Sequence, residues 1–447
     1  MHIFLKTYDI IIINIDRLKK VVIMRKFNYG GLTGEVITKD CFSYEKDRKQ
    51  WNRAIEKYPL VIVYCHNKED VVNGIVWARE NELPIRIRSG GHHYEGYSTG
   101  NDVVVIDISK MNEIYIDEEK NIVNIQGGVR NRELYEATGS LGFPFPGGGC
   151  PTVGVVGFTL GGGWGYSARF MGLGCDSLIE AELIDYEGKT LIANNNENKD
   201  LFWALRGSGG GNFGVVTSLT FTLPEKIEKA TLINMDFPNR TIEESTEIFQ
   251  VYQQLFRSLD RRGNFKMAVY NSKDKGRGVK CTGVFYGTKN EANRAIMTLK
   301  EISGELHVTM DYMSVLEVNR VIQDSHPDYE SYKSAGRFVY KEYSKEEIID
   351  LIGLVNERAK GSVYTALTLY GLGGKVLEEN REATSFYYRD AAFIMGLQSV
   401  WEESEYAEIN RDWTVEKLNC IKIKTKGSFV NFPLAELSHS ESEYYGE

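Results

Sequence analysis

Two adjacent histidines, His92 and His93, follow a double glycine in "RIRSGGHHYEGYSTG" (residues 86–100) of a chain with seven histidines. A neutral imidazole nitrogen can attack an electrophilic carbon, whereas a loop histidine with no such task is a solvated side chain. Two more glycine-rich segments lie downstream, "GGGCPTVGVVGFTLGGGWG" (147–165) and "GSGGGNFG" (207–214). Stacked backbone amides in such loops bind anions without basic side chains, which suits a phosphorylated ligand. None of the loops carries a Walker lysine. Nor does any have the order of strand, G-x-G-x-x-G turn, helix and acidic ribose ligand that a dinucleotide fingerprint requires. The six cysteines (Cys41, Cys65, Cys150, Cys175, Cys281, Cys420) include no CxxC pair. Neither a metal site nor a disulfide framework is suggested, and the spacing is that of buried free thiols in a reducing compartment.

The elements that must position these residues follow from periodicity. "PLVIVYC" reads as a strand, "KEDVVNGIVWAREN" as an amphipathic helix and "LPIRIRS" as a second strand, a βαβ unit ending at the first glycine loop. Short strands are expected in "DVVVIDIS", "EIYID" and "NIVNIQGG", a helix in "RNRELYEATGSLG", and a hairpin in "SLIEAELIDYEGKTLIAN". Of 44 glycines, 25 fall between residues 90 and 214, which concentrates tight turns and close backbone approaches there. The composition changes near Pro224. Beyond it, charged amphipathic helices ("EESTEIFQVYQQLFRSL", "SKEEIIDLIGLVNERAK") and aromatic strands such as "GVKCTGVFYG" predict antiparallel sheet covered by helices.

At 447 residues the chain exceeds what one core supports, so two domains are expected. The formal net charge of −9 gives no basic footprint for nucleic acid. The N-terminal apolar stretch is broken by Asp9 and Asp16, too short for a membrane span and without a cleavage signal. Residues 1–29 are read as a tail, with Met24 as an alternative start. The boundaries expected are 30–225 for a ligand-binding domain, 226–408 for a substrate domain, and 409–447 for a C-terminal segment returning to the first. A cytoplasmic protein is expected.

Taken together, "RSGGHHYEG" (88–96), "GGGCPTVGVVGFTLGGGWGYSARFMGLGCDSL" (147–178), "DLFWALRGSGGGNFGVVTS" (200–218) and "SFVNFP" (428–433) resemble the berberine bridge enzyme-like flavoproteins. The likeness spans nearly the whole chain in the family's order. It implies an α+β, two-domain PCMH-type FAD-binding fold with a second domain of antiparallel sheet plus helices. It also implies FAD attached covalently through two residues. The family pattern R-S-G-G-H-x-Y-E-G puts the flavin-linked histidine at His92 and leaves His93 a bystander; G-x-C-P-T-V-G puts a second bond at Cys150. A thiolate is the attacking species, so Cys150 should lie in a polarised, accessible setting unlike the other five. The resemblance lays the flavin against Arg88, Ser89, Gly90, Gly91 and Gly96 of the first loop. The second loop contributes Pro151, Thr152, Val153, Gly154, Gly157, Gly161, Gly162, Gly163 and Gly165, and the third Gly214 and Val215. Val153 matches the position where a small side chain leaves oxygen access, or else it merely packs.

Tyr94, Gln398 and Asn431 match active-site positions, although Tyr94 and Gln398 fit equally well as half-buried residues on an aromatic face. Two features depart from the family. Its Y-x-N-Y strand ends in a tyrosine that takes the substrate proton, and here that place is Phe432, with Phe429 at the first tyrosine. Phenylalanine accepts no proton, so Tyr94, Tyr370 or a carboxylate must. The chain also stops at "EYYGE", where relatives continue with a further segment; the expectation was a weakened flavin site or an open cleft. The reaction implied is hydride removal from an alcohol, sugar or related small molecule to FAD, with oxygen the acceptor and hydrogen peroxide the product. A dehydrogenase with another acceptor, a flavin-binding surface protein with little turnover, and a nicotinamide enzyme built on the glycine loops are the rivals.

Overall fold

The computed structural model of the chain describes residues 8–15, 18–25 and 27–446. β1 (Tyr8–Ile15) and β2 (Leu18–Arg25) pair antiparallel with each other and, among the described residues, join no other sheet. Positions 1–7, 16, 17 and 26 of the expected tail lie outside those residues.

A mixed sheet comes next, built from β3 (Glu35–Thr38), β4 (Val61–Tyr64), β5 (Ile85–Arg88) and β6 (Val104–Asp107) in the order β3-β4-β6-β5. The expected βαβ unit is there, its helix Lys68–Glu80 capped by the Asn67 side chain accepting from the Asp70 amide. Its strands are not neighbours, because β6 inserts between β4 and β5, parallel to both. All four residues of β6 are buried, and a strand buried on both faces belongs inside a parallel sheet. At its end Asp107 is buried in an ion pair with Arg88 of β5.

An antiparallel sheet of β7 (Ile114–Asp117), β8 (Ile122–Gln126), β9 (Leu178–Ile184), β10 (Thr190–Asn194) and β11 (Val215–Thr222) follows in the order β10-β9-β11-β8-β7. β9 and β10 form the expected hairpin. Val123, Leu183, Phe202, Leu219 and Phe221 make the core on one side of it.

The large sheet holds β12 (Lys229–Pro238), β13 (Gly263–Ser272), β14 (Gly276–Phe285), β15 (His307–Ser314), β16 (Ser331–Val339), β17 (Ser362–Gly371), β18 (Phe393–Trp401) and β19 (Lys426–Ser428). Its order is β15-β12-β14-β13-β17-β18-β16-β19. Side chains alternate across a strand, and here the alternation separates two chemistries. Phe265, Met267, Leu367, Leu369 and Leu397 pack under the helices Ile242–Leu255, Lys345–Gly353 and Ala407–Lys422. The intervening positions, Asn264, Lys266, Thr368, Tyr370 and Gln398, turn toward the glycine-rich half.

Buried polar ties hold the halves together. The Trp164 indole donates to the Gly371 carbonyl at 2.7 Å, and the Arg169 guanidinium spans the carbonyls of Leu259, Gly263 and Leu372. Arg389 Nη2 meets Asp176 Oδ1 at 2.7 Å, with both side chains almost wholly buried. The C-terminal strand is shorter than "KGSFVNFPL" suggests: β19 is three residues long and lies on the edge of the large sheet, paired with β16. From there the chain crosses over Gly336, whose amide donates to the Phe432 carbonyl. A β-carbon on Gly336 would lie 2.8 Å from the Phe432 ring, so glycine lets that ring pack down.

Breaking a buried ion pair on one side leaves the other charge stranded, at a cost of about 3–5 kcal/mol. Asp176→Asn is therefore expected to lower unfolding stability by about that amount in urea titration. A double Asp176→Leu, Arg389→Leu variant should recover part of the loss.

Candidate active site

The first and second glycine loops meet backbone to backbone. A β-carbon on Gly90 would fall 2.2 Å from the Gly154 nitrogen, and one on Gly154 would fall 2.4 Å from Ser89 Oγ. Only glycine fits at either place. The first loop leaves β5 with Arg88 fixed by Asp107 and by the Asp47 carbonyl, and with Ser89 donating to the Gly127 carbonyl. The second loop is stapled to the start of the helix Asn131–Ser140. The amides of Asn131 and Arg132 donate to the carbonyls of Val153 and Pro151, and Asn131 Nδ2 donates to the Cys150 carbonyl.

This contact brings His92 and Cys150 together, although about sixty residues separate them. His92 Nε2 lies 2.8 Å from Thr152 Oγ1, and Cys150 Sγ lies 4.0 Å from the same oxygen. Trp51 stacks on the imidazole with centroids 4.9 Å apart and planes inclined at 25°. Burial, with the charges of Arg130 and His326 nearby, pushes His92 down to about 3, so the ring is neutral at any ordinary pH. His93 points elsewhere. It tilts against Tyr97, accepts from the Glu95 amide, and is pushed by burial down to about 4.

The Cys150 setting meets the expectation of a polarised, accessible thiol only in part. The residue is half-buried, and Cys420 is the more exposed thiol. Burial pushes the Cys150 thiol up, while the Thr152 amide and hydroxyl and the Val153 amide pull it down less strongly. The physical reason is that loss of water around the thiol outweighs the hydrogen bonds donated to it.

Facing these loops is an aromatic wall. Tyr94 stacks on Phe432 with planes 6° apart and centroids 5.2 Å apart, and meets Tyr332 edge to face. Tyr370 contacts Phe432 and Trp164. Burial raises the hydroxyls of Tyr94, Tyr332 and Tyr370, which holds their protons on. Next to the wall are two charges that the sequence reading missed. Lys266 Nζ lies 5.5 Å from the Tyr370 ring centroid, and Glu330 sits two residues before Tyr332, its backbone hydrogen-bonded to Trp51 and Arg53. Neither side chain has an ion-pair or hydrogen-bond partner among the described residues. Burial lowers Lys266 and raises Glu330, each partly offset by the other's charge. A lone lysine in the buried strand "GNFKMAVYNS" was the available signal for Lys266; Trp51 and Glu330 had none.

Other predicted residues serve the scaffold. Gly96 closes a turn onto Ile55, and Gly162, Gly163 and Gly165 make room for Phe386, Phe158 and the Gly147 carbonyl. The Gly91 backbone is left-handed, φ 70°, where the chain turns into His92. The Val215 side chain is in the core, with Gly214 tight against the Ile184 carbonyl before it. Asn431 donates to the Phe158 carbonyl at 2.8 Å and covers Gly161, a tie between the halves with no contact to His92 or Cys150. Gln398 lies on the site-facing side of β18, opposite Ser334 and Ala366. Its amide has no protein partner among the described residues.

FAD is the ligand the sequence implies, and the residues fit it. A β-carbon on Gly157 or Gly211 would meet nothing within 4 Å, and Gly210 lies against Gly157, so bare backbone of the second and third loops borders open space. Thr159 Oγ1 and Ser208 Oγ, in those two loops, are buried without a hydrogen-bond partner, as is Asn131 Oδ1 behind Cys150. Buried polar atoms are rarely left so, which marks these two loops and the start of the helix behind Cys150 as places where the protein alone does not complete the hydrogen bonding. Among the described residues no group of three or more His, Cys, Asp or Glu is placed to hold a metal ion, and no helix is long and apolar enough to cross a membrane.

Comparison with known proteins bears on this site. Residues 59–194 match the family described as FAD binding domain. An uncharacterised FAD-linked oxidoreductase, YgaK of Bacillus subtilis, is 33% identical over 93% of this chain and 92% of its own length. Among solved structures, BBE-like 1 of Physcomitrella patens superposes with a TM-score of 0.84 at 22% identity, over 93% of this chain and 92% of that one. The glucooligosaccharide oxidase of Acremonium strictum, whose flavin is a 6-S-cysteinyl, 8α-N1-histidyl FAD, superposes with a TM-score of 0.83 at 19% identity, over 92% and 91%.

The depressed His92 predicts a pH dependence. An unfolded chain binds the imidazole proton below pH 6.5, and the folded, flavin-free chain does so only near 3. Between these values the unfolded state holds more protons, so stability falls as pH falls, by about 1.4 kcal/mol per pH unit for this one group. His92→Gln is expected to flatten that slope relative to wild type in urea unfolding across the window. Parallel slopes for the two proteins would contradict the assignment.

Proposed function

The chain belongs to the berberine bridge enzyme-like family of FAD-linked oxidoreductases, and from that membership we propose that it oxidises an alcohol, sugar or related small molecule. In this reading FAD is tethered through both His92 and Cys150, and molecular oxygen is the acceptor. One observation carries the double tether: both side chains converge on the hydroxyl of Thr152. The doubly linked flavin of the Acremonium enzyme supports it.

When bound, FAD supplies the two-electron oxidation, taking a hydride from a substrate C–H bond. The residues of the chain do the rest. The glycine loops hold the oxygen-rich portion of the cofactor against bare backbone. The wall of Tyr94, Tyr332, Tyr370 and Phe432 offers flat faces to a sugar ring or an alcohol and excludes water from the reacting carbon. The substrate hydroxyl proton goes to the carboxylate of Glu330. Tyrosines whose burial keeps them protonated are poor acceptors, whereas a carboxyl raised toward neutrality is a good one. Lys266 keeps Glu330 ionised until the proton arrives. Val153, small and half-buried beside Cys150, leaves oxygen a path to the ring.

Precipitating the protein in acid is expected to leave the yellow colour in the pellet, and colour in the supernatant would refute covalent attachment. Air should reoxidise the reduced flavin far faster than free flavin reacts; a rate no higher than the free reaction would favour another acceptor. With any sugar or alcohol of a broad panel that bleaches the wild-type flavin, Glu330→Gln should slow the bleaching by about a hundredfold or more. Dithionite should reduce both proteins equally.

A further inference from the structure

We propose that Thr152 is the positioning residue that prepares both flavin tethers, its one hydroxyl serving His92 and Cys150 at once. The inference rests on the covalent reading above. Thr152 Oγ1 is the only polar side-chain atom among the described residues bonded to the His92 ring, at 2.8 Å, and it is also the side-chain partner of Cys150 Sγ, at 4.0 Å. Trp51 covers one face of the imidazole, so the ring cannot tilt away from the hydroxyl without losing the stack.

The hydrogen-bond directions follow from the chemistry each tether needs. A neutral imidazole carries one proton, and its attacking nitrogen must be the one without it. In this proposal Nε2 carries the proton and donates it to Thr152 Oγ1, which leaves Nδ1 with a free lone pair. Oγ1 has then accepted one bond, and its own proton is free to point at the Cys150 sulfur. A hydroxyl donating to sulfur favours the thiolate, the species that attacks. Accepting from the imidazole makes it a better donor to sulfur, because bonds in a chain polarise one another. Each tether replaces one hydrogen of the chain, N–H or S–H, and one C–H hydrogen of the flavin ring or its methyl group by the new bond. The two electrons and two protons released at each pass to molecular oxygen as hydrogen peroxide.

The contact is confined to the hydroxyl, so shape and chemistry can be separated. Thr152→Val keeps the β-branched outline and removes the oxygen; Thr152→Ser keeps the oxygen and removes the methyl. Each protein is purified with its flavin, denatured, treated with iodoacetamide and digested, and the peptides holding His92 and Cys150 are weighed. Wild type and Thr152→Ser are expected to carry flavin on both peptides, with little alkylation of Cys150. Thr152→Val should bind flavin in the native state yet leave Cys150 open to alkylation in about tenfold more chains, the factor lost with one such hydrogen bond. Thr152→Ala, with space to spare, should behave as the valine variant does. Full tethering at both residues in Thr152→Val and Thr152→Ala would overturn the proposal. Loss of tethering in Thr152→Ser equal to that in Thr152→Val would overturn it too, by showing that the methyl matters and not the oxygen. Wild-type protein that releases its flavin on denaturation would instead overturn the covalent reading, and this inference with it.

Discussion

The closeness of Gly90 to Gly154 is the constraint on which the site depends. A β-carbon at either position would collide with the other loop, and the loops that carry His92 and Cys150 would have to move apart. Glycine is costly in an unfolded chain because it has the most freedom to lose, so the fold must hold these loops by other means. It does so from both sides. Arg88 and Ser89 fix the first loop to β6 and to Gly127, and the helix beginning at Asn131 fixes the second through its first amides. Arg88 thus matters to the site without touching it.

The opposing wall is the polar and aromatic face of the large sheet, and its energetics run against the core on the other side. Stacked and edge-to-face rings contribute about 0.5–1.5 kcal/mol per pair beyond their burial, so the ring cluster that Tyr94, Tyr332, Tyr370 and Phe432 form stabilises the junction of the two halves. Lys266 and Glu330 do the reverse. Both side chains are half-buried with no ion pair or hydrogen bond among the described residues, and each is offset only in part by the other's charge, which costs stability. Groups that cost stability at the mouth of a reactive pair are best understood as serving the reaction. Phe432 fits the same logic: where a tyrosine would bring another hydroxyl to the wall, phenylalanine stacks flat on Tyr94, and under the proposed function proton transfer falls to a carboxylate.

Much of this was legible in the sequence, and the exceptions share one cause. The glycine loops, the βαβ unit and the β9–β10 hairpin are written in local pattern, because turns and periodicity depend on near neighbours. Placement of β6 between β4 and β5 is not local. It follows from burial of both its faces, which composition hints at but does not order. Trp51, Lys266 and Glu330 reach the site only through sheet register and a single backbone bridge between residues 52 and 330, and no spacing in the chain encodes that. "KGSFVNFPL" misled because its β-like residues serve two tasks: Lys426 and Ser428 pair with β16, and the residues that follow cross above Gly336 to reach Phe158. The motif places Asn431 at the site, and in the structure its Nδ2 also ties the halves together through the Phe158 carbonyl.

The treatment of Cys150 shows why a motif alone cannot set reactivity. Drying the pocket acts oppositely on the two nucleophiles. It removes the proton from an imidazole, which readies His92, and keeps the proton on a thiol, which hinders Cys150. The same burial cannot suit both, so the structure must add something at the thiol that it need not add at the histidine. The hydrogen-bonding groups of Thr152 and Val153 are that addition, and they come from the very loop that Gly90 and Gly154 lock in place. Partial access and polarising donors coexist here with a thiol that burial pushes up. In a dry site, what the backbone and a neighbouring hydroxyl donate to a thiol offsets part of the cost that burial places on its thiolate.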